Sequence, residues 1–447
     1  MNRRAADLHV GAGLGRTRRL VSLVLAAIVG MAAGQGRAAD RALPGISYSA
    51  KIPAPGMRSP EINAAISGEE LVRRISKLRP GHWLEIPGSE MARVQVDACQ
   101  SPEIWRGYDP VLAGPPSCNP DAVMAYSGGA YDSRRHRMMV WGGGHSGYIG
   151  NELYAFDLTL ARWIRLSEPS TPVLEPGWGD GAGALAMAPN AGPISVHSYD
   201  QLEYLPKQDA LFAAGGSTYS GNGFASEQTW ILPLSGSDAM HWKRADPMPG
   251  RVYGLYEYNM SSAYDPLSER VIVRGYSRAA SFDPEVGRWL LATVRLPTRR
   301  LGTVGELDPE ARGFLVTGGG RSEWHVVSAE GMLGAMRPLP TTGDREIEDC
   351  YAPGLAYSMS ARRMVAWCGG GAVYVLDARR SRWIRFDPPA ASPAPGFPHE
   401  QSGVRGVFGR FRYVPEYDVF VLVLGNRANV FLYRLPERRP SQGQESD

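Results

Sequence analysis

Four short aromatic runs recur along the chain, Arg162-Trp163-Ile164-Arg165-Leu166, His241-Trp242-Lys243-Arg244, Arg288-Trp289-Leu290-Leu291 and Arg382-Trp383-Ile384-Arg385-Phe386. Self-similarity at a period of roughly 40 to 50 residues is the mark of stacked four-stranded sheets, in which each repeat buries its apolar face only against its neighbours. A fifth run, His82-Trp83-Leu84-Glu85-Ile86, stands alone near the N-terminus. This stray copy bears on how such an array closes.

The 53 glycines and 35 prolines cut short apolar runs with turn residues, which argues an all-β chain; no long amphipathic periodicity is present. Setting the hairpin turns over one another gives six repeats. The first reads Ala130-Tyr131-Asp132, a turn, Arg137-Met138-Met139-Val140-Trp141, then Gly142-Gly143-Gly144-His145. Its equivalents are residues 204–216, 264–275, 307–320, 357–371 and 413–425. A third strand follows each, and the Trp-bearing run makes a fourth in four repeats, while repeat four is irregular around Met332 to Leu339. The sixth repeat lacks a fourth strand, because the chain turns polar after Leu435; the run at Trp83 would supply it and leave no open sheet edge. The expectation is a six-bladed β-propeller over 82–435, closed by an N-terminal strand, with residues 39–81 as an extension and 436–447 as a polar disordered tail. The alternative count is seven blades, with the seventh in residues 89–122, where the turn-and-glycine pattern is missing.

The glycine-ended second strands and Trp-bearing fourth strands resemble Kelch repeats, the family that includes the galactose oxidase propeller. The resemblance implies architecture rather than activity.

Residues 1–38 read as an export signal: Arg16, Arg18 and Arg19, an apolar run from Leu20 to Ala33, then Gly36-Arg37-Ala38 as a small-x-small cleavage site. The run is shorter than a membrane-spanning helix requires, so no span is expected after cleavage. Removing six Arg and one Asp takes +5 from a formal net charge of +3 and leaves −2. A nearly neutral chain without a basic tract does not read as a nucleic-acid binder. Export to the periplasm or beyond makes disulfides the default for the four cysteines, Cys350 with Cys368 across a hairpin and Cys99 with Cys118. A monomer is expected, with no cofactor and no resident metal.

In a propeller the loops after the second strand and before the first open on one face, around the axis. Just past the second strand stand His145, Arg278, Arg321 and Arg427; before the first strand stand His197, Arg300 and Arg405. Such a collar of cations favours an anionic ligand, an acidic polysaccharide or oligosaccharide. His145 and His197, with Tyr148 in the same glycine-rich loop as His145, are candidate proton-handling groups. This type of site is similar to that of propeller polysaccharide lyases. Arg278, Arg300, Arg321, Arg405 and Arg427 would neutralise a uronate carboxylate, and a His or Tyr would carry out β-elimination. A propeller that binds a glycan or a protein without catalysis uses the same cations and is the second reading. A copper radical oxidase is the third, and the pairing of the cysteines argues against it.

Overall fold

In the computed structural model the chain divides into two units, Met1–Met57 and Arg58–Asp447. The residues described are 65–96, 123–143, 148, 150–169, 172–173, 192–218, 224–249, 260–298, 301–398 and 405–436, all in the second unit. The expected export segment, Cys99, Cys118, His145 and Arg300 lie outside them. Among the described residues no helix is long and apolar enough to cross a membrane.

Six antiparallel sheets form a six-bladed all-β propeller. The innermost strands are Gly129–Asp132, Leu202–Leu205, Ser261–Asp265, Val304–Asp308, Gly354–Ser358 and Phe411–Val414. Each neighbours the next, and the sixth neighbours the first, so the ring is complete. The sixth sheet takes its outer strand from Trp83–Ile86, antiparallel to Val430–Tyr433, with Trp83 opposite Tyr433. Ahead of that strand the helix Gly68–Lys77 is capped by the Ser67 hydroxyl, which accepts from the Glu70 amide, and it buries Leu71 and Ile75. The irregular stretch of repeat four forms a full outer strand, Leu333–Pro338. A register shift between His325 and Val327 explains why its sequence departs from the other repeats.

The recurring tryptophans owe their pattern to packing between blades. Trp163 donates its indole N–H to the Ser89 carbonyl (2.7 Å), Trp289 to Thr229 Oγ1 (3.0 Å), Trp383 to Ser322 Oγ (3.3 Å) and Trp83 to the Gly371 carbonyl (2.8 Å). In every case the acceptor belongs to the preceding blade or to the chain just beyond it. Trp242 reaches back likewise, its ring centroid 5.5 Å from that of Trp141 in blade 1. An indole suits this place because it buries a large apolar body and still satisfies its one polar atom.

The tight hairpin turns between first and second strands repeat one conformation, with left-handed backbone at His136, Asp209, Glu269, Arg312, Arg362 and Asp418. On this face every pair of adjacent blades shares a polar contact. They are Arg135 with Asp209 (2.6 Å), Lys207 with Glu269 (2.5 Å), Arg312 with Asp265 (2.5 Å), Arg362 with Glu310, Ser360 with Asp418 (2.5 Å) and Tyr131 with Glu416 (2.8 Å). The four cations here are therefore engaged within the protein. Cys350 and Cys368 form a disulfide, with Cα atoms 6.1 Å apart, that ties the start of blade 5 to the end of its second strand.

If the indoles hold the ring, Trp83→Ala should lower the unfolding free energy by about 3–5 kcal/mol, and Trp83→Phe, which keeps one aromatic ring but loses the N–H and part of the buried bulk, by a smaller amount of about 1–3 kcal/mol. Urea denaturation of both variants measures this; a Trp83→Ala protein as stable as the parent would contradict the account.

Candidate functional site

Opposite the hairpin turns, the chain enters five of the six inner strands through a residue in left-handed backbone: Tyr126 (φ 56), Tyr199 (φ 45), Gly302 (φ 76), Ala352 (φ 49) and Phe408 (φ 51). Aromatic residues adopt this region at a cost, so the surroundings must enforce it. Backbone bonds between blades do so. Tyr199 donates to the Tyr126 carbonyl (2.7 Å), Ser262 to Asp200 (2.9 Å), Ala352 to Gly302 (2.7 Å) and Val407 to Ala352 (2.8 Å). The result is a rigid rim around the axis, faced with aromatic rings.

At this rim the Tyr126 ring lies 5.0 Å from that of His197, 6.1 Å from Tyr199 and 6.5 Å from Tyr351, while Tyr199 packs edge-on to Phe408 at 5.6 Å. Tyr351 is 47% exposed, the most open ring of the group. It rests on Gly302, where a side chain would run into the ring, so the glycine serves both the turn and the platform. Burial and the neighbouring Tyr126 raise the Tyr351 pKa, and the charge of Arg405, half-buried beside it, acts in the opposite direction.

The other sequence-predicted residues are distributed unevenly. His197 sits at the rim but is only 5% exposed. Its Nδ1 stands 3.3 Å from Ser217 Oγ and 3.4 Å from the Tyr199 hydroxyl, which themselves hydrogen-bond at 2.7 Å. Tyr148 is fully buried in blade 1, where it donates to Glu152, which also accepts from Tyr154 (3.0 Å). Burial above all drives its pKa well up, with the Glu152 charge adding to the shift. Gly143 and Gly150, where a side chain would run into the Tyr148 ring, leave room for this inward turn. Arg321 is half exposed and bonds Glu323 Oε1 through Nε (2.8 Å); Arg278 is half-buried and Arg427 exposed, in the corresponding loops of blades 3 and 6. Among the described residues no three His, Cys, Asp or Glu side chains are grouped to hold a metal.

Just inside the rim the axis is filled. Two residues before the end of each inner strand stand Ala130, Glu203, Ala263, Glu306, Ala356 and Arg412, so that small and long side chains alternate around the ring. Arg412 donates to the carbonyls of Gly129 (3.1 Å) and Leu202 (3.2 Å) and lies 3.5 Å from both Glu203 and Glu306. Asp200 accepts from the Gly305 amide (2.7 Å), and Ser262 donates to Glu203 (2.9 Å). One guanidinium thus ties blades 1, 2, 4 and 6 across the centre. Sequence reading missed Arg412, Arg410 and Arg274, all buried, because it sought cations only in loops; for Arg412 the available signal was its place inside the otherwise apolar strand Phe411–Val414.

No protein-family model and no curated protein sequence matches the chain. Among solved structures it is similar to an auxiliary nutrient binding protein from Bacteroides ovatus ATCC 8483 (9% identity, 70% of this chain and 69% of that one, TM-score 0.44). It is also similar to an auxiliary nutrient binding protein from Bacteroides thetaiotaomicron VPI-5482 (8% identity, 69% of each chain, TM-score 0.45). A protein of unknown function from the latter organism shares 9% identity over 70% of each chain at a TM-score of 0.41. None of the three bears on what the rim binds.

Burial dominates at Glu306 and, against the pull of Arg412, raises its pKa to about 7; it raises Glu203 and Asp200 as well. Between about pH 4.5 and 7 the unfolded chain has released the Glu306 proton and the folded chain has kept it. The folded state then binds more protons, so stability falls as pH rises. Glu306 should contribute a loss of about 3 kcal/mol across that interval, with Glu203 and Asp200 adding in the same direction, and Glu306→Gln should make the slope measured by denaturation shallower. Stability that rises through this window, or a slope unchanged in the variant, would contradict the assignment.

Proposed function

We propose that the protein is an exported propeller that captures an acidic, uronate-containing glycan on its rim without cleaving it. The observation that carries this reading is the half-exposed Tyr351 ring, held on Gly302 with Arg405 beside it. A flat aromatic surface takes the apolar face of a sugar ring, and a neighbouring guanidinium takes its carboxylate. Preorganisation favours binding: the rim backbone is fixed between blades, and the disulfide at Cys350 anchors the residue next to Tyr351. That disulfide also supports an oxidising compartment. β-Elimination asks for a base and an acid open to the sugar, whereas His197 and Tyr148 are enclosed by protein. The filled axis supports binding across the face.

Oligogalacturonate is a suitable probe. Tyr351→Ala should weaken its binding at least about tenfold in calorimetry, the effect of truncating an aromatic anchor. The parent should form no unsaturated uronate product on prolonged incubation. Unaltered affinity in Tyr351→Ala, or accumulation of that product, would refute the reading.

A further inference from the structure

Beside the Tyr351 platform lies a cavity of about 90 Å³ lined by Thr303, Val316, Gly318, Gly319, Gly320, Arg321 and Glu323. The two features adjoin, since Gly302, which carries the Tyr351 ring, packs its carbonyl against Gly318. The loop Gly318–Gly320 runs through three consecutive left-handed residues, with φ of 88, 66 and 104, and is fastened by its amides: Gly319 donates to the Cys350 carbonyl (3.3 Å) and Gly320 to that of Glu348 (2.6 Å). The wall of the cavity is therefore fixed.

Its charge is unbalanced. Glu323, buried, is shared by two arginines: Arg321 at Oε1, and the fully buried Arg274 at Oε2 (3.2 Å). Burial alone would raise the Glu323 pKa, but the His325 ring and the two guanidiniums outweigh it and hold it at about 2, so the carboxylate stays ionised. His325, 3.5 Å from the same Oε2, has its pKa lowered, chiefly by burial, and is neutral near pH 7. Among the described residues these four groups are the charged and titratable ones acting on one another here, and they sum to one positive charge at neutral pH. Arg274 Nη2 also donates to Pro297 and Nη1 to Tyr276, whereas Arg321 uses Nε and Nη2 on Glu323 and Thr298. Arg321 Nη1 has no partner among the described residues, and the side chain is 53% exposed.

We infer that this cavity is an anion subsite, in which Arg321, with Arg274 behind it, takes the carboxylate of one sugar residue while Tyr351 stacks on its neighbour. The anion subsite stands on its own charge balance; its assignment to a sugar carboxylate rests on the glycan-capture reading. An incoming carboxylate meets the spare N–H groups of Arg321 and neutralises the excess charge. Glu323 repels it little, because each of its oxygens already faces a guanidinium.

The test separates the two levels. Amide resonances of Gly318, Gly319 and Gly320 are followed on titration with acetate at constant ionic strength, with acetamide as the neutral control, in the parent and in Arg321→Gln. We expect saturable shifts with acetate only, lost in Arg321→Gln and partly restored in Arg321→Lys. Oligogalacturonate should move the same resonances, with about tenfold weaker affinity in Arg321→Gln. Absence of a saturable acetate response, or an equal response in Arg321→Gln, overturns the anion subsite. An acetate response without any from oligogalacturonate keeps the subsite and removes the glycan.

Discussion

Each outer-strand indole that donates into the blade before it makes the propeller one object rather than six sheets. A four-stranded sheet of this size cannot bury both faces by itself, so its stability comes from its neighbours. Trp163, Trp289, Trp383 and Trp83 each fill such an interface and spend their single N–H on an acceptor across it. Trp83 is the informative member. Its strand comes from the far end of the chain, so its bond to Gly371 joins blade 6 to blade 5 and the strand itself joins blade 6 to the N-terminal segment.

The two faces of the ring are held by different means, a difference that suits the ligand capture proposed for one of them. On the hairpin face, side-chain charges and hydroxyls bridge neighbouring blades, which leaves their cations already matched. On the rim face the bridging is done by backbone groups, through left-handed residues. Tyr351 keeps its ring half-exposed there, and Arg321, though bonded to Glu323 and Thr298, keeps about half of its side chain exposed at 53%. Below them the buried Arg412 bridges blades 2 and 4 from blade 6.

Much of the architecture is legible in the residues, since turn aspartates, glycine-ended strands and tryptophans all report local geometry. The disulfide was legible as well, because Cys350 and Cys368 flank one hairpin. Function was less so, for a physical reason: an arginine or tyrosine has the same letter whether it faces solvent or core. Arg321, singled out by its position past a second strand, does stand at a cavity, but half engaged with Glu323. Tyr148, singled out by its glycine-rich loop, turns inward. Arg274 and Arg412 are buried charges whose carboxylate partners lie 49 and more residues away, beyond any local pattern. Tyr351 drew no attention, because its value depends on a glycine some fifty positions earlier that no local pattern connects to it.

The central claim is that the segment around Trp83 closes the ring and so fixes the rim. Native-state hydrogen exchange of the amides in Trp83–Ile86 and Val430–Tyr433, compared with those of the inner strand Ser261–Asp265, tests it most directly. The account predicts that both sets exchange only through global unfolding, with equal protection. Early exchange at Trp83–Ile86 while Ser261–Asp265 stays protected would show that the ring holds without its clasp, and would contradict it.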